Sequence, residues 1–311
     1  MVKVSVIMPV YNTGLYVREA LTSILNQTLT DIEIIVIDDG SVDNSCAIIE
    51  ALKVNDSRIK FYKQPFNQGQ AVARNVGLQY VTGQYVYFMD SDDILVTNAL
   101  EVCLLKCEKE DLDVVIFEAE LLSEDKETNF SFDYHYRDLD TNKVYNGIEL
   151  MNFLLDTHQF CVSPCMMFLR ASLLKLWTPI FWNGIIHEDQ LFVVMVYVHS
   201  IKVGYLNHSF FIRRIRKAST MTNKISQKNR IGYQTVFEQL SLFASGKNER
   251  IRNLIEKHRT ITLNAFLSIG WPLSLKEKIK FLLYCIRLNY MKQITFKNLA
   301  IFFLKQWKWR K

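Results

Sequence analysis

Two acidic clusters, Asp38-Asp39-Gly40-Ser41 and Asp90-Ser91-Asp92-Asp93, carry the residue types that can address a phosphorylated ligand. The second has Asp-x-Asp spacing, and in an extended segment alternate residues point to one side, so both carboxylates can meet one ligand. Hard cations such as Mg²⁺ or Mn²⁺ prefer carboxylate oxygens and keep positions for pyrophosphate oxygens. A Ca²⁺ loop is the competing reading, but its ligand pattern with a closing Glu is absent. In the first cluster, one carboxylate can accept a hydrogen bond from a ring N–H of uracil or guanine; the plain alternative is a capped turn. Several acids converging on one place repel one another unless a cation or hydrogen-bond donors compensate.

Four more segments have chemistry within reach. Pro9-Val10-Tyr11-Asn12 can offer backbone groups and an aromatic surface to a flat base, or merely punctuate a strand end. Arg74, in Ala73-Arg74-Asn75-Val76-Gly77, can reach a base carbonyl or a phosphate with fixed donors, or sit in a surface ion pair. Glu188-Asp189 precede the apolar run 191–198, where acids ordinarily cap a helix; with a nucleotide site upstream they become candidates for a general base. Arg214, Arg216 and Ser219 follow a β-rich run and either clamp a diphosphate or form a solvated basic turn.

The elements that must position these residues are legible from periodicity. Apolar, β-branched runs at 32–37 and 85–89 end on the two acidic clusters and read as buried parallel strands, joined by further strands at 2–8 and 58–62. Between them lie helical patterns at 15–25, 43–53 (with Ser41 able to cap) and 70–81. A helix at 98–110, a strand at 113–121, a polar loop or hairpin at 123–143, mixed segments at 148–200 and a strand at 203–215 follow, and the chain beyond about 222 is helical. This alternation predicts an α/β fold with a mostly parallel, Rossmann-type sheet, whose ligands gather at the carboxyl ends of the strands. We divide it into a first half at 1–110, a second half at 111–221 and a helical C-terminal region at 222–311.

Composition narrows the class. With 49% hydrophobic and 22% charged residues, 311 residues form a folded chain rather than a disordered one. No run reaches the eighteen or so apolar residues that span a bilayer, and no leader pattern is visible. The pairs Cys103/Cys107 and Cys161/Cys165 lack the histidines or Cys-x-x-Cys spacing of a zinc set and read as reduced thiols, which points to the cytoplasm. Ten Lys or Arg against one Glu lie between Lys276 and Lys311, a charge of +9 that leaves about −4 on the remainder of the +5 chain. The tail mixes these cations with aliphatic and aromatic residues. It suits the surface of an anionic membrane, or a lid packed on the catalytic domain, and is too apolar for nucleic acid.

In this order, the segments over about 2–95 with the later Glu188-Asp189 resemble glycosyltransferase family 2, inverting enzymes of the GT-A fold that act on nucleotide-activated sugars, and among them the bacterial surface-polysaccharide type. The resemblance implies that Pro9, Val10, Tyr11 and Asn12 line the base pocket, Asp39 binds the base edge, and Arg74 supports base or phosphate. It further implies Asp90 and Ser91 on the ribose side, Asp92 as ligand of a Mn²⁺ or Mg²⁺ ion, and Asp189 as the base that deprotonates an acceptor hydroxyl. The expected donor is a nucleotide-sugar, with UDP favoured, and the expected acceptor a glycan or lipid-linked hydroxyl, reached from the cytoplasm or its membrane face. Processive relatives carry Gln-x-x-Arg-Trp and spanning helices; Gln306-Trp307-Lys308-Trp309-Arg310 is only a scrambled likeness, which favours single addition. A nucleotidyltransferase and a non-catalytic nucleotide-sugar-binding protein are the alternatives.

Overall fold

The computed structural model describes residues 1–123, 132–216 and 224–305. The chain divides into two compact units, Met1–Gly184 with Phe192–Lys217, and Ile185–Leu191 with Ala218–Lys311.

The first unit is a mixed α/β structure on one eight-stranded sheet in the order β3-β2-β1-β4-β7-β6-β8-β5. Strands β1 (Val4–Val10), β2 (Ile32–Asp38), β3 (Ile59–Lys63) and β4 (Tyr85–Phe88) pair in parallel. They alternate with α1 (Val17–Leu25), α2 (Ser45–Asn55) and α3 (Gln70–Leu78). Strands β1, β2 and β4 are buried along their whole length, which is why their sequences run apolar without alternation. Helix α3 lies close on the sheet because Gly77 has no side chain: a Cβ there would stand 2.6 Å from the Ile7 side chain.

The other half of the sheet departs from simple alternation. After β5 (Ile94–Leu95) and α4 (Ala99–Glu110), β6 (Val114–Ser123) runs parallel to β8 (Val203–Ile215), with a bulge at Phe117–Ala119. Between them in sequence come α5 (Gly147–Asp156), β7 (Met167–Arg170) and α6 (Glu188–His199). Strand β7 inserts antiparallel between β4 and β6, and β5 pairs antiparallel with β8. Part of the expected polar loop, 124–131, lies outside the described residues, and its later part is not wholly solvated. Tyr134 and Tyr136 are buried, with Tyr134 Oη accepting from Arg213 (2.9 Å) and the Tyr136 N–H donating to Glu118 (3.0 Å). Ser41 does not cap α2. The helix begins at Ser45 after Asn44, and the Ser41 hydroxyl instead accepts the Asn12 N–H at 2.9 Å. The cysteines are free thiols, all but Cys46 buried.

The second unit is helical, with α7 (Gln227–Ser245), α8 (Glu249–Ile269), α9 (Leu275–Arg287) and α10 (Phe296–Leu304). Its helices start where the sequence supplies caps: Asn248, Ser274 and Thr295 each accept a first-turn N–H. Phe266 centres the core against Tyr233, Phe281 and Phe302. No helix among the described residues is long and apolar enough to cross a membrane.

His258 on α8 is fully buried, its Nε2 within 3.2 Å of Gln190 Oε1, and burial pushes its imidazole down to about 4 from 6.5. The depressed value means the folded state resists protonation. The stabilisation is therefore complete above pH 6.5 and is lost as pH falls toward 4, at a total cost of about 3 kcal/mol. Urea unfolding at pH 7 and pH 5 should show wild type losing more stability on acidification than His258→Phe; parallel losses would remove His258 as the cause.

Candidate active site

Because β1, β2 and β4 are parallel neighbours, their carboxyl ends share one edge, and that edge holds most of the candidate site residues. Pro9 and Val10 end β1 as buried residues, while Tyr11 is 45% exposed and Asn12 turns the chain with φ of 51°. The Asn12 side chain accepts the Val42 N–H at 2.9 Å, which ties the loop after β1 to the loop after β2.

Asp39, just past β2, is buried and serves as an anchor. Its Oδ1 accepts from the Gln64 side chain (3.0 Å) and the Gln68 N–H (2.8 Å), and its Oδ2 accepts from the Gly69 N–H (2.8 Å). One lone pair on Oδ2 therefore stays open to another donor, such as the N–H of a base. Burial pushes the Asp39 carboxyl above the usual carboxylate range, with Asp38 adding to the rise and the two backbone donors opposing it. Gly40 is needed here: its φ is +74°, and a Cβ would stand 2.7 Å from the Phe66 backbone.

The same loop reaches the second acidic cluster. Gln70 and Arg74, in the first turns of α3, both donate to Asp90 Oδ1 at 2.8 Å. Asp39 and Asp90 are thus gripped by residues 68–70 and 74 of one short stretch. Arg74 is only 2% exposed, with its guanidinium 5.1 Å from the Phe181 ring. Asn75 holds Phe181 in place by donating to its carbonyl (2.7 Å) and accepting from its N–H (3.0 Å). Ser91 is buried and receives the Thr13 hydroxyl at 3.0 Å.

Asp92 Oδ2 accepts from Arg216 Nε at 2.7 Å, and the Asp92 carbonyl accepts from Arg214 Nε at 2.9 Å. Arg214 also pairs with Glu19, and both arginines lie over the Tyr16 ring. Asp93, the last acid of the second cluster, is buried and accepts the Arg214 N–H at 2.7 Å. Burial, then the charges of Asp92 and Asp90, push its carboxyl well above the usual range. Ser219 lies outside the described residues. Asp189 belongs to the second unit, in the first turn of α6, where its Oδ1 accepts the Gln190 N–H at 3.0 Å. Nearby in that unit, Asn229 is 3.2 Å from His187 Nε2 and the His187 ring lies 4.3 Å from Tyr233.

Arginines therefore supply part of the compensation that the clustered acids require, Arg74 on Asp90 and Arg216 on Asp92, while Asp93 still feels the charges of Asp92 and Asp90. Among the described residues no group of three or more His, Cys, Asp or Glu could hold a metal ion. This donor set fits a cation carried by one or two carboxylates and completed by phosphate oxygens and water, not one caged by protein.

The family model for glycosyl transferase family 2 matches residues 5–177, more than half of the chain. The chain belongs to that family. It is 31% identical to the glycosyltransferase GlyG of Streptococcus pneumoniae over 223 residues, 70% of this chain and 72% of GlyG. Its fold matches S. aureus TarS 1-349 in complex with UDP-GlcNAc, with a TM-score of 0.72 at 20% identity over 96% of this chain and 83% of that one. It also matches the mannosyltransferase PcManGT of Pyrobaculum calidifontis in complex with GDP-Man and Mn²⁺, with a TM-score of 0.57 at 13% identity over 96% and 78%. The protein is a glycosyltransferase with the GT-A type of fold. Membership of this family displaces the nucleotidyltransferase alternative.

Gln64, Gln70 and Asn75 carry no charge signal that would assign them a role from sequence, and Asp93 stands there only as the last acid of its cluster.

Proposed function

We propose that this glycosyltransferase moves a sugar, with inversion, from a UDP-sugar to a hydroxyl of a glycan or lipid-linked acceptor, one sugar per encounter, in cell-surface polysaccharide synthesis. The observation that carries the reading is the gathering of Asp39, Asp90 and Asp92, with Arg74, at one sheet edge of a family 2 chain. The UDP-GlcNAc bound to TarS supports the choice of donor. In this reading, Tyr11 lies against the base and Asp39 accepts its imide N–H through the open lone pair. Asp90 and Ser91 face the ribose. Arg214 and Arg216 contribute positive charge to the diphosphate.

Asp92 would hold a Mn²⁺ or Mg²⁺ ion shared with the diphosphate, and the Mn²⁺ in PcManGT supports that choice. Such an ion supplies Lewis-acid stabilisation of the charge on the leaving diphosphate. Asp189 takes the proton from the acceptor hydroxyl, and attack opposite the leaving group inverts the anomeric centre. A lipid-linked acceptor would place the enzyme at the inner face of the membrane, reached through its basic C-terminal region.

A panel of UDP- and GDP-sugars with and without Mn²⁺, read by thermal shift and then by nucleotide release with candidate glycan acceptors, tests this. A UDP-sugar should raise the melting temperature most and be consumed. Binding without turnover on any acceptor offered would overturn the acceptor assignment, and no nucleotide binding would overturn the reading.

A further inference from the structure

Helix α9 is built unlike an ordinary surface helix. Its buried face carries Glu277, Lys278, Phe281, Tyr284 and Cys285. Its solvent side carries Leu275, Ile279, Leu283 and Ile286, which are 65%, 45%, 60% and 54% exposed. At about 100° per residue, these four fall within an arc of about 80°. Lys276, Lys280 and Arg287 follow on the next 40° or so of the same exposed side. The helix thus presents a continuous aliphatic stripe to water, bordered along one edge by cations.

An exposed aliphatic stripe of this length on a folded unit marks a contact surface. The charge beside it indicates the kind of partner. Lys280 and Arg287 have acidic neighbours in Glu277 and Glu238, but from Lys276 onward the chain carries ten cations against one acid. A protein partner would have to offer both an apolar groove and a matching acidic border. An anionic lipid surface offers both at once, acyl chains for the stripe and phosphate headgroups for the row of cations.

We infer that the exposed face of α9 docks on an anionic membrane, with Leu275, Ile279, Leu283 and Ile286 at the acyl boundary and Lys276, Lys280 and Arg287 at the headgroups. The inference builds on the lipid-linked acceptor reading and adds the surface that meets the lipid. All four aliphatic residues already face solvent, so exchanging them for polar residues leaves the helical core intact.

The test is co-sedimentation of the full chain with vesicles of phosphatidylcholine, alone or containing about one-third phosphatidylglycerol, beside Ile279→Ser/Leu283→Ser and Lys276→Gln/Lys280→Gln variants. The expected results are binding to the anionic vesicles, at least tenfold less with neutral ones, and a loss of roughly tenfold or more in the serine variant. The glutamine variant should lose severalfold, and the remaining binding should be less sensitive to salt. Sedimentation velocity of the same samples addresses a second copy of the chain. A wild-type dimer that the serine variant dissociates, without vesicle binding, would overturn the inference, as would equal vesicle binding by all variants. Circular dichroism confirms folding. UDP binding measured without vesicles keeps the two readings apart: intact UDP binding with no vesicle binding sinks the docking face alone, and the converse sinks the donor reading alone.

Discussion

Asp189→Asn should lower sugar transfer by about 10²–10⁴-fold while leaving UDP affinity within a factor of two or so, because a positioned general base contributes that much to a proton transfer. The amide matches the carboxylate in shape and still accepts the Gln190 N–H that Asp189 Oδ1 accepts now at 3.0 Å, so the first turn of α6 keeps its geometry. What is lost is basicity. The acceptor hydroxyl must then attack without giving up its proton in the transition state. The effect belongs on kcat with saturating donor and acceptor, and isothermal titration of UDP supplies the binding control. Transfer at near wild-type rate in the variant would place the base on another residue. His187, two residues upstream, is the next group to examine, although burial lowers its affinity for a proton and the Asp189 charge only partly restores it.

Asp92→Asn should have the second largest effect. Asp92 now spends one carboxylate oxygen on Arg216, in a partly exposed ion pair worth little to stability. An asparagine retains an oxygen for Arg216 but removes the negative charge that a cation needs. We expect turnover to fall about 10²–10³-fold, as when one element of transition-state charge stabilisation is removed. We also expect Mn²⁺ to stop improving UDP affinity, a readout independent of turnover. Chelation should reproduce much of the loss in wild type and add little in the variant. Equal gains from Mn²⁺ in UDP binding by both proteins would show that Asp92 does not hold the metal.

The carboxyl-end acids were legible because apolar runs of six or seven residues must be buried on both faces and therefore end at an edge where polar groups can begin. That reasoning located Asp39, Asp90 and Asp92 from local sequence alone. Acids so placed need a cation or hydrogen-bond donors to compensate them, and the structure supplies donors, Arg74 on Asp90 and Arg216 on Asp92. Arg74 is 16 residues from Asp90 and Arg216 is 124 residues from Asp92, and no periodic signal pairs either arginine with its acid. Strand β7 was hidden for a related reason. Its four residues pair antiparallel with β4 and β6, contacts that no hydrophobic period specifies. The clamp between Asn75 and Phe181 spans 106 residues and is equally silent in the chain.

By itself, the amino-acid order determined that β1, β2 and β4 are buried, where they stop, and which acids stand at their ends, since those depend on the transfer of contiguous side chains out of water. It also determined that α9 is two-faced. Only the tertiary structure decided which face turns inward: aromatic packing of Phe281 against Phe266 and the Arg230–Glu277 ion pair (2.7 Å) claim one side. The aliphatic stripe is thereby left in water, because burial is settled by the neighbours a helix finds and not by its own hydrophobicity.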